Sequence, residues 1–360
     1  MAVISYKCPA CGGPLKWDAA KQKYSCEYCL SEFEEGQLAV MQEEEKKTEE
    51  AQASSASREK ETSAEQAEGG ICSYICPSCG AEIVTEETTS ATFCYYCHNP
   101  VVLQNRLSGT FRPDRVIPFA IDRTRALEIF RDWIAKHKYV PSDFYSESQI
   151  EKFSGVYFPY WLFNGKVKGD VSGSGDRIRK WTSGDMQYTE TKSYRIRRNG
   201  EMPVNNVSRI ALNKASRVLC ECVAPFEFEK MKPFSKGYLS GFMAEMRDIE
   251  RASVEPEVTE EVKQYAADCL RNEASAGYSN VHFTSISAEI TEKKWEYVLM
   301  PVWTLTYKAR DGKVYYFSIN GTSGKTVGEL PVNNKKLWFL FAKIAVPVFA
   351  VLLLLFYFFF

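Results

Sequence analysis

Residues 8–29 read CPACGGPLKWDAAKQKYSCEYC: two C-x2-C pairs, Cys8/Cys11 and Cys26/Cys29, separated by 14 residues. Two residues between thiolates allow a tight knuckle that aims both sulfurs at one ion, and a glycine after the second cysteine lets backbone N–H groups approach them. Two such knuckles on adjacent strands complete a tetrahedral S4 shell, the geometry that suits Zn(II). Protein then fills all four positions, so the spacing predicts a structural ion with no opening for a catalytic water.

The pattern recurs. Residues 76–97 read CPSCGAEIVTEETTSATFCYYC, and Cys76, Cys79, Cys94 and Cys97 each lie 68 positions after a cysteine of the first set. Tyr6/Tyr74, Pro9/Pro77, Gly12/Gly80 and Tyr28/Tyr96 keep the same offset. This register predicts a duplicated module: zinc ribbon 1 over residues 1–33 and zinc ribbon 2 over 74–103, holding two structural Zn(II) ions between them. Cys94-Tyr-Tyr-Cys97-His98 also fits a covalent haem motif, but that reading leaves Cys76 and Cys79 unexplained. Four thiolates hold iron as well as zinc, so the metal stays open at this level. Cys72 reads as an idle thiol. Cys220 and Cys222 alternate along an expected strand, which points them to opposite faces.

Outward from the cysteines, residues 34–73 contain no aromatic residue and run through EEEKKTEEAQASSASREKETSAEQAEGG. Such a composition cannot bury enough apolar surface to offset chain entropy, so it predicts an acidic disordered linker that leaves the ribbons on a flexible arm. Tyr28, Phe93, Tyr95 and Tyr96 are candidate aromatic contacts on those ribbons.

The chain has 360 residues, 45% of them hydrophobic and 25% charged, with a net charge of -1, which excludes a fully disordered or polytopic membrane chain and a wholesale nucleic-acid coat. The charge is segregated: residues 1–104 hold 8 Lys/Arg against 17 Asp/Glu, and residues 105–253 hold 26 against 18. The start, MAVISYKCPA, lacks the basic and apolar run of an export signal, so the 12 cysteines are expected to be reduced thiols in the cytosol.

Residues 107–331 read as a mixed α+β domain. Asp122 to Lys138 places Leu127, Phe130 and Ile134 at helical spacing, with Asp122 as cap and Pro141 beyond the end. A second helix is expected over Pro256 to Asn272, Pro256 in its first turn and Val258, Val262, Tyr265 and Cys269 on its inner face. VYFPYWLF, MQYTETKSYRIR, SRVLCECVA, VHFTSISAEI, EYVLMPVWTLTYKA and KVYYFSI carry strand signals. Val156-Tyr-Phe-Pro159-Tyr-Trp161 and Val298-Leu-Met-Pro301-Val-Trp303 share V-x-x-P-x-W at an offset of 142. An internal duplication and a coincidence of aromatic strands explain this equally well. Proline in each strand implies an edge or a bulge.

A catalytic constellation is not expected. His98, His137 and His282 are scattered, without a nucleophile–base unit. Gly321-Thr-Ser-Gly324-Lys325-Thr326 resembles a phosphate loop, but the first glycine of that motif would fall on Ile319, so a hairpin turn is the expectation. Arg177-Ile-Arg179-Lys180 and Arg195-Ile-Arg197-Arg198 are basic strand patches. A solvated sheet surface is the plain reading; phosphate of nucleic acid or anionic lipid is the sharper one, with lipid the more economical for an anchored domain.

Residues 337–360, LWFLFAKIAVPVFAVLLLLFYFFF, are apolar except for Lys343. From Ile344 onward the uncharged run spans about 25 Å as a helix, and residues 337–343 extend it to about 36 Å, enough to cross a hydrocarbon core. Lys335, Lys336 and Lys343 precede the run, which predicts a single-pass tail anchor in the cell membrane with the N-terminal body cytoplasmic. Lys343 snorkels toward the headgroups.

The ribbons resemble those of transcription factor IIB and of primosomal helicases. The whole layout, two ribbons around an acidic linker followed by PFAIDRTRALEIF, GVYFPYW, VLMPVW, INGTSGKTVGELP and a hydrophobic end, resembles the YdjG-type bacterial membrane-anchored double zinc-ribbon proteins. The resemblance implies a membrane-bound component acting with phage-shock-protein-A-like and flotillin-like partners in bacterial envelope stress. The expectation is therefore an α+β protein that is not an enzyme: a zinc-binding adaptor recruiting protein partners at the membrane, with a zinc-ribbon nucleic-acid-binding regulator as the alternative.

Overall fold

The computed structural model describes residues 3–4, 6–34, 36–37, 71–76, 82–86, 88–94, 100–103, 111–137, 139–213, 223–309 and 312–359. Most of the expected linker, together with Cys79, Tyr95, Tyr96, Cys97, His98, Cys220 and Cys222, lies outside them. The chain runs through β1 (Val3–Ile4), β2 (Leu15–Asp18), β3 (Lys23–Cys26), β4 (Glu32–Phe33), β5 (Ile71–Ile75), β6 (Glu82–Glu86), β7 (Thr89–Phe93) and β8 (Pro100–Leu103). The body follows as β9 (Arg115–Val116), helix α1 (Arg123–Ala135), β10 (Ser154–Ser183), β11 (Met186–Ile210), β12 (Lys232–Pro233), β13 (Met243–Glu245), helix α2 (Arg251–Ser275), β14 (Ser279–Lys308), β15 (Val314–Asn320), β16 (Thr326–Gly328) and helix α3 (Asn334–Phe359).

The architecture is mixed α+β. Among the described residues, one 11-stranded sheet follows the path β1-β8-β7-β13-β10-β14-β15-β16, with β11 on the flank of β10 and β9 pairing both β12 and β14. Two small sheets of described residues, β2-β3-β4 and β5-β6, belong to the cysteine-rich regions.

Local chemistry accounts for the helices. The Asp122 carboxylate accepts from the Arg125 backbone N–H at 2.7 Å and caps α1. Ala126, Phe130 and Ile134 are buried, and Phe130 packs on Phe317 and Phe153. Helix α2 begins at Arg251, five residues ahead of Pro256, so that proline lies inside the helix rather than in its first turn. Near the start its missing N–H deprives only the Ala252 carbonyl of a partner. The buried face is Val258, Val262, Ala266 and Ala274, while Tyr265, expected inside, is 59% exposed. Small alanines let α2 settle on Phe163, Val167, Val171, Ile196 and Val204 of the strands beneath.

The strands are longer than their apolar runs. VYFPYWLF is only the start of β10, and VHFTSISAEI and EYVLMPVWTLTYKA fuse into β14; each strand has 30 residues, about 100 Å of extended chain. β10 is paired on one side by β14 and on the other by β11, so inter-strand hydrogen bonds carry it through polar sequence.

Pro159 and Pro301 lie in these two central strands, in register with Leu299 and Tyr157, rather than at an edge. Each sits where the flanking neighbour changes. On β10, parallel β13 covers Val156 and Tyr157 and antiparallel β11 takes over at Tyr160. On β14, parallel β9 covers Val298 and Leu299 and antiparallel β15 takes over at Val302. A residue without an N–H is tolerated at such a hand-over, where no ladder bond is due. The two motifs match further: Ala211 donates to the Pro159 carbonyl at 2.8 Å and Gly321 to that of Pro301 at 2.9 Å. The Trp161 indole donates to the Ile249 carbonyl at 2.9 Å and that of Trp303 to Ile121 at 3.0 Å, each acceptor two residues ahead of a helix.

The first cysteine-rich region is packed on the body, not held on a free arm. Trp17 stands edge-on to Tyr24 and Tyr238, with ring centroids 5.0 and 4.8 Å away, and its backbone N–H donates to Ser240 at 2.9 Å. The Gln22 amide donates to the Phe119 carbonyl at 2.8 Å. A module this small cannot cover Leu15, Trp17 and Tyr24 by itself, so the body completes its core. The second region joins the main sheet through Ala91↔Ala244, between β7 and β13, and β1 pairs with β8.

Candidate metal centre

Two turns build the site. In the first, Gly12 donates to the Cys8 carbonyl at 2.8 Å and Cys8 to that of Gly13 at 2.6 Å, with Gly12 at φ 74°. In the second, Leu30 donates to Cys26 and Cys26 to Ser31, both at 3.0 Å, with Leu30 at φ 60°. The residue after each pair thus takes the left-handed conformation, free for glycine and unfavourable for leucine.

The β2-β3 hairpin brings the turns together, with Leu15 opposite Cys26. Sγ of Cys8 lies 3.5 Å from that of Cys29, Cys11 is equally far from Cys26, and all four sulfurs fall within 4.8 Å of one another. Metal–sulfur bonds of about 2.3 Å in a tetrahedron require sulfurs about 3.8 Å apart, so the four thiols fit a metal ion. Cys8 and Cys26 are buried and Cys11 and Cys29 exposed, which places the centre at the module's surface.

Four thiols this close cannot all ionise at once. The Cys29 thiol and the Ser31 hydroxyl are hydrogen-bonded at 3.3 Å, and the hydroxyl's ability to stabilise the thiolate lowers Cys29 to about 6. The Gly13 backbone hydrogen bond pulls Cys11 the same way, but its hydrogen bonds to Cys29 and Cys26 prevail and push it up to about 12. A bound cation would replace this sharing of protons with four thiolates.

Of the second set, Cys76 and Cys94 are buried in a cluster with Tyr74, Ile83, Val101 and Leu103. Burial follows the 68-residue offset: Tyr6 and Tyr74, Cys8 and Cys76, Leu15 and Ile83, and Cys26 and Cys94 are all interior. Their expected co-ligands Cys79 and Cys97 lie outside the described residues. Cys72 and Cys269 are half-buried. Tyr28 is 73% exposed beside the centre and Phe93 half-buried.

The loop resembling a phosphate cradle is a turn organised by buried Asn320. Its carbonyl oxygen accepts from Thr322 N–H and Oγ1 and from Ser323 N–H, while its amide donates to Val223 and Pro225. Lys325 donates to the Ala224 carbonyl. His137 and His282 are exposed. The docking partners Phe119 and Tyr238 went unforeseen, because no local pattern marks the contact of Gln22 with Phe119 across 97 residues or of Trp17 with Tyr238.

At the other end, Lys336–Phe356 of α3 has a mean hydropathy of 2.6 with none of it buried, long and apolar enough to cross a membrane. Asn333 donates to the Tyr139 carbonyl at 2.8 Å and Lys336 to that of Val140 at 3.1 Å, tying the helix start to the end of the body that holds α1.

No family model matches the chain, and no solved structure matches it. Over 240 residues, 66% of this chain and 70% of the relative, it is 29% identical and therefore similar to YdjG, an uncharacterized protein of Bacillus subtilis (strain 168).

Proposed function

We propose that this protein is a non-enzymatic adaptor, attached by α3 to the cell membrane with its body on the cytoplasmic side, whose two zinc-ribbon modules hold structural Zn(II) and present surfaces to protein partners. The observation that carries the reading is the four-sulfur cluster, a donor set that closes the shell of a soft, tetrahedral cation and leaves no place for substrate. The shared burial pattern of the Cys76/Cys94 region supports a second ion there, completed by Cys79 and Cys97. The matched surroundings of Pro159 and Pro301 support an internally duplicated body. The resemblance to YdjG-type proteins favours phage-shock-protein-A-like or flotillin-like partners and a role in envelope stress.

The modules need their ions to fold, since each is too small to build a core alone. The test replaces Cys76 and Cys79 together by serine. Loss of one zinc equivalent and of co-purifying partners, with membrane attachment retained, is the expected result; undiminished partner recovery contradicts the reading.

A further inference from the structure

β14 ends at the Asp176↔Ser279 pair, so β10 and β11 continue beyond it as a two-stranded tip from Arg177 to Lys192. Residues 177–198 carry seven Lys/Arg and two acidic residues. One face of this tip is organised. Arg177 lies over the rings of Tyr194 and Tyr278, at 5.3 and 4.9 Å, and Arg179 over that of Trp181 at 5.7 Å. Trp181 stacks on Tyr188 across the strands, with centroids 5.6 Å apart and planes at 14°. Trp181, Tyr188 and Tyr194 all remain exposed. From the Gly175↔Tyr194 pair to the Trp181↔Tyr188 pair, about 20 Å, this face carries rings at both ends and Arg177 beside Lys192 and Arg179 beside Glu190 between them, with Glu190 paired to Lys192 at 3.1 Å.

We propose that this face binds single-stranded nucleic acid, stacking bases on Trp181, Tyr188 and Tyr194 and meeting phosphates with Arg177 and Arg179. Base stacking on aromatic side chains joined to a basic track is the recognition chemistry of sequence-tolerant strand binding. A track of 20 Å accommodates roughly three or four nucleotides. Ring and guanidinium planes take either sugar, so RNA and DNA are both ligands.

Anionic lipid, the economical partner for the basic sequence alone, fits this geometry less well. The patch lies on the face covered by α2, because Tyr278 packs with Ala274, Val171 and Ile196. The helix, about 10 Å thick, ends beside the Tyr278 edge of the patch and forms a step there in which a flexible strand can lie. The leading end of the hairpin, Ser183-Gly184-Asp185-Met186, offers a single exposed apolar side chain, Met186, rather than an apolar wedge. The opposite face is balanced, Lys166, Lys168, Lys180, Arg195 and Arg197 standing among Asp170, Asp176, Glu201, Glu289 and Glu292. Neither the cysteines nor α3 enters this inference, so it stands apart from the adaptor reading.

The test uses the full chain in zwitterionic nanodiscs, with fluorescein-labelled 20-nucleotide oligo-uridine and oligo-thymidine followed by anisotropy, and phosphatidylglycerol vesicles in a parallel flotation assay. Retention of either oligonucleotide is expected, weakened about tenfold by Trp181→Ala. Arg177→Ala with Arg179→Ala should lower the logarithmic salt slope by about 1.4. All three side chains are exposed, so the fold tolerates their loss. Absence of binding at low salt, equal binding by both variants, or capture of vesicles but not oligonucleotides through these residues overturns it.

Discussion

Phe158 and Met300 face each other across β10 and β14, and they are the same position of the V-x-x-P-x-W motif, 142 residues apart. The pairs beside them follow suit: Tyr160 faces Val298 and Val156 faces Val302. The two motifs are thus related by an approximate two-fold axis through the Phe158/Met300 pair, and each half lends its short parallel strand, β9 or β13, to the long strand of the other.

The two tryptophans make matching indole hydrogen bonds in the two halves. Trp161→Phe and Trp303→Phe each remove one hydrogen bond to a carbonyl just ahead of a helix and should each cost about 1 kcal/mol. Chemical denaturation followed by circular dichroism checks it; a silent substitution at one site would show that the halves are not equivalent.

Docking of the first cysteine module rests on Trp17. Trp17→Ala empties the space between Tyr24 and Tyr238 and should destabilise the docked state by about 3–5 kcal/mol. Gly237→Val gives a second test, because a Cβ there runs into the Tyr24 ring. Limited proteolysis should release the module from both variants before the body is cut, while the parent chain resists.

Metal content tests the two proposed zinc sites one at a time. Cys8→Ser and Cys76→Ser should each remove one zinc equivalent of two by elemental analysis, and the double variant both. Removing one ligand of a closed thiolate shell leaves three donors, too few for a structural zinc site. Unchanged zinc in Cys8→Ser would contradict the assignment of the four-sulfur cluster.

Deletion of residues 334–359 should release the protein from membranes without changing its melting temperature, since none of the apolar span is buried against the body. Sedimentation and a thermal scan measure both. A truncated chain that still pellets with protein-free liposomes would mean the body itself holds lipid.

Legibility in the sequence followed the range of the forces. Asp122 and the α1 stripe were readable because capping and helical periodicity act within a few residues. The grouping of Cys8, Cys11, Cys26 and Cys29 was readable because four thiols that could share one ion need a fixed spacing. The extent of β10 was not. Its outer part, including Gly169, Asp170, Ser172 and Ser174, lacks strand propensity and is held by partners on both sides. Tyr265 was misplaced because helical spacing alone does not choose between it and Ala266, and close approach to the sheet favours the smaller residue. The seat of Trp17 on Tyr238 depends on two segments 221 residues apart that carry no mutual signal.

The most direct test of the adaptor account is crosslinking in intact cells, solubilisation of the membranes in detergent, nuclease treatment and identification of what stays bound. The account predicts protein partners that survive nuclease and are lost with the Cys8→Ser/Cys76→Ser pair. Recovery of nucleic acid with no protein partner would contradict it.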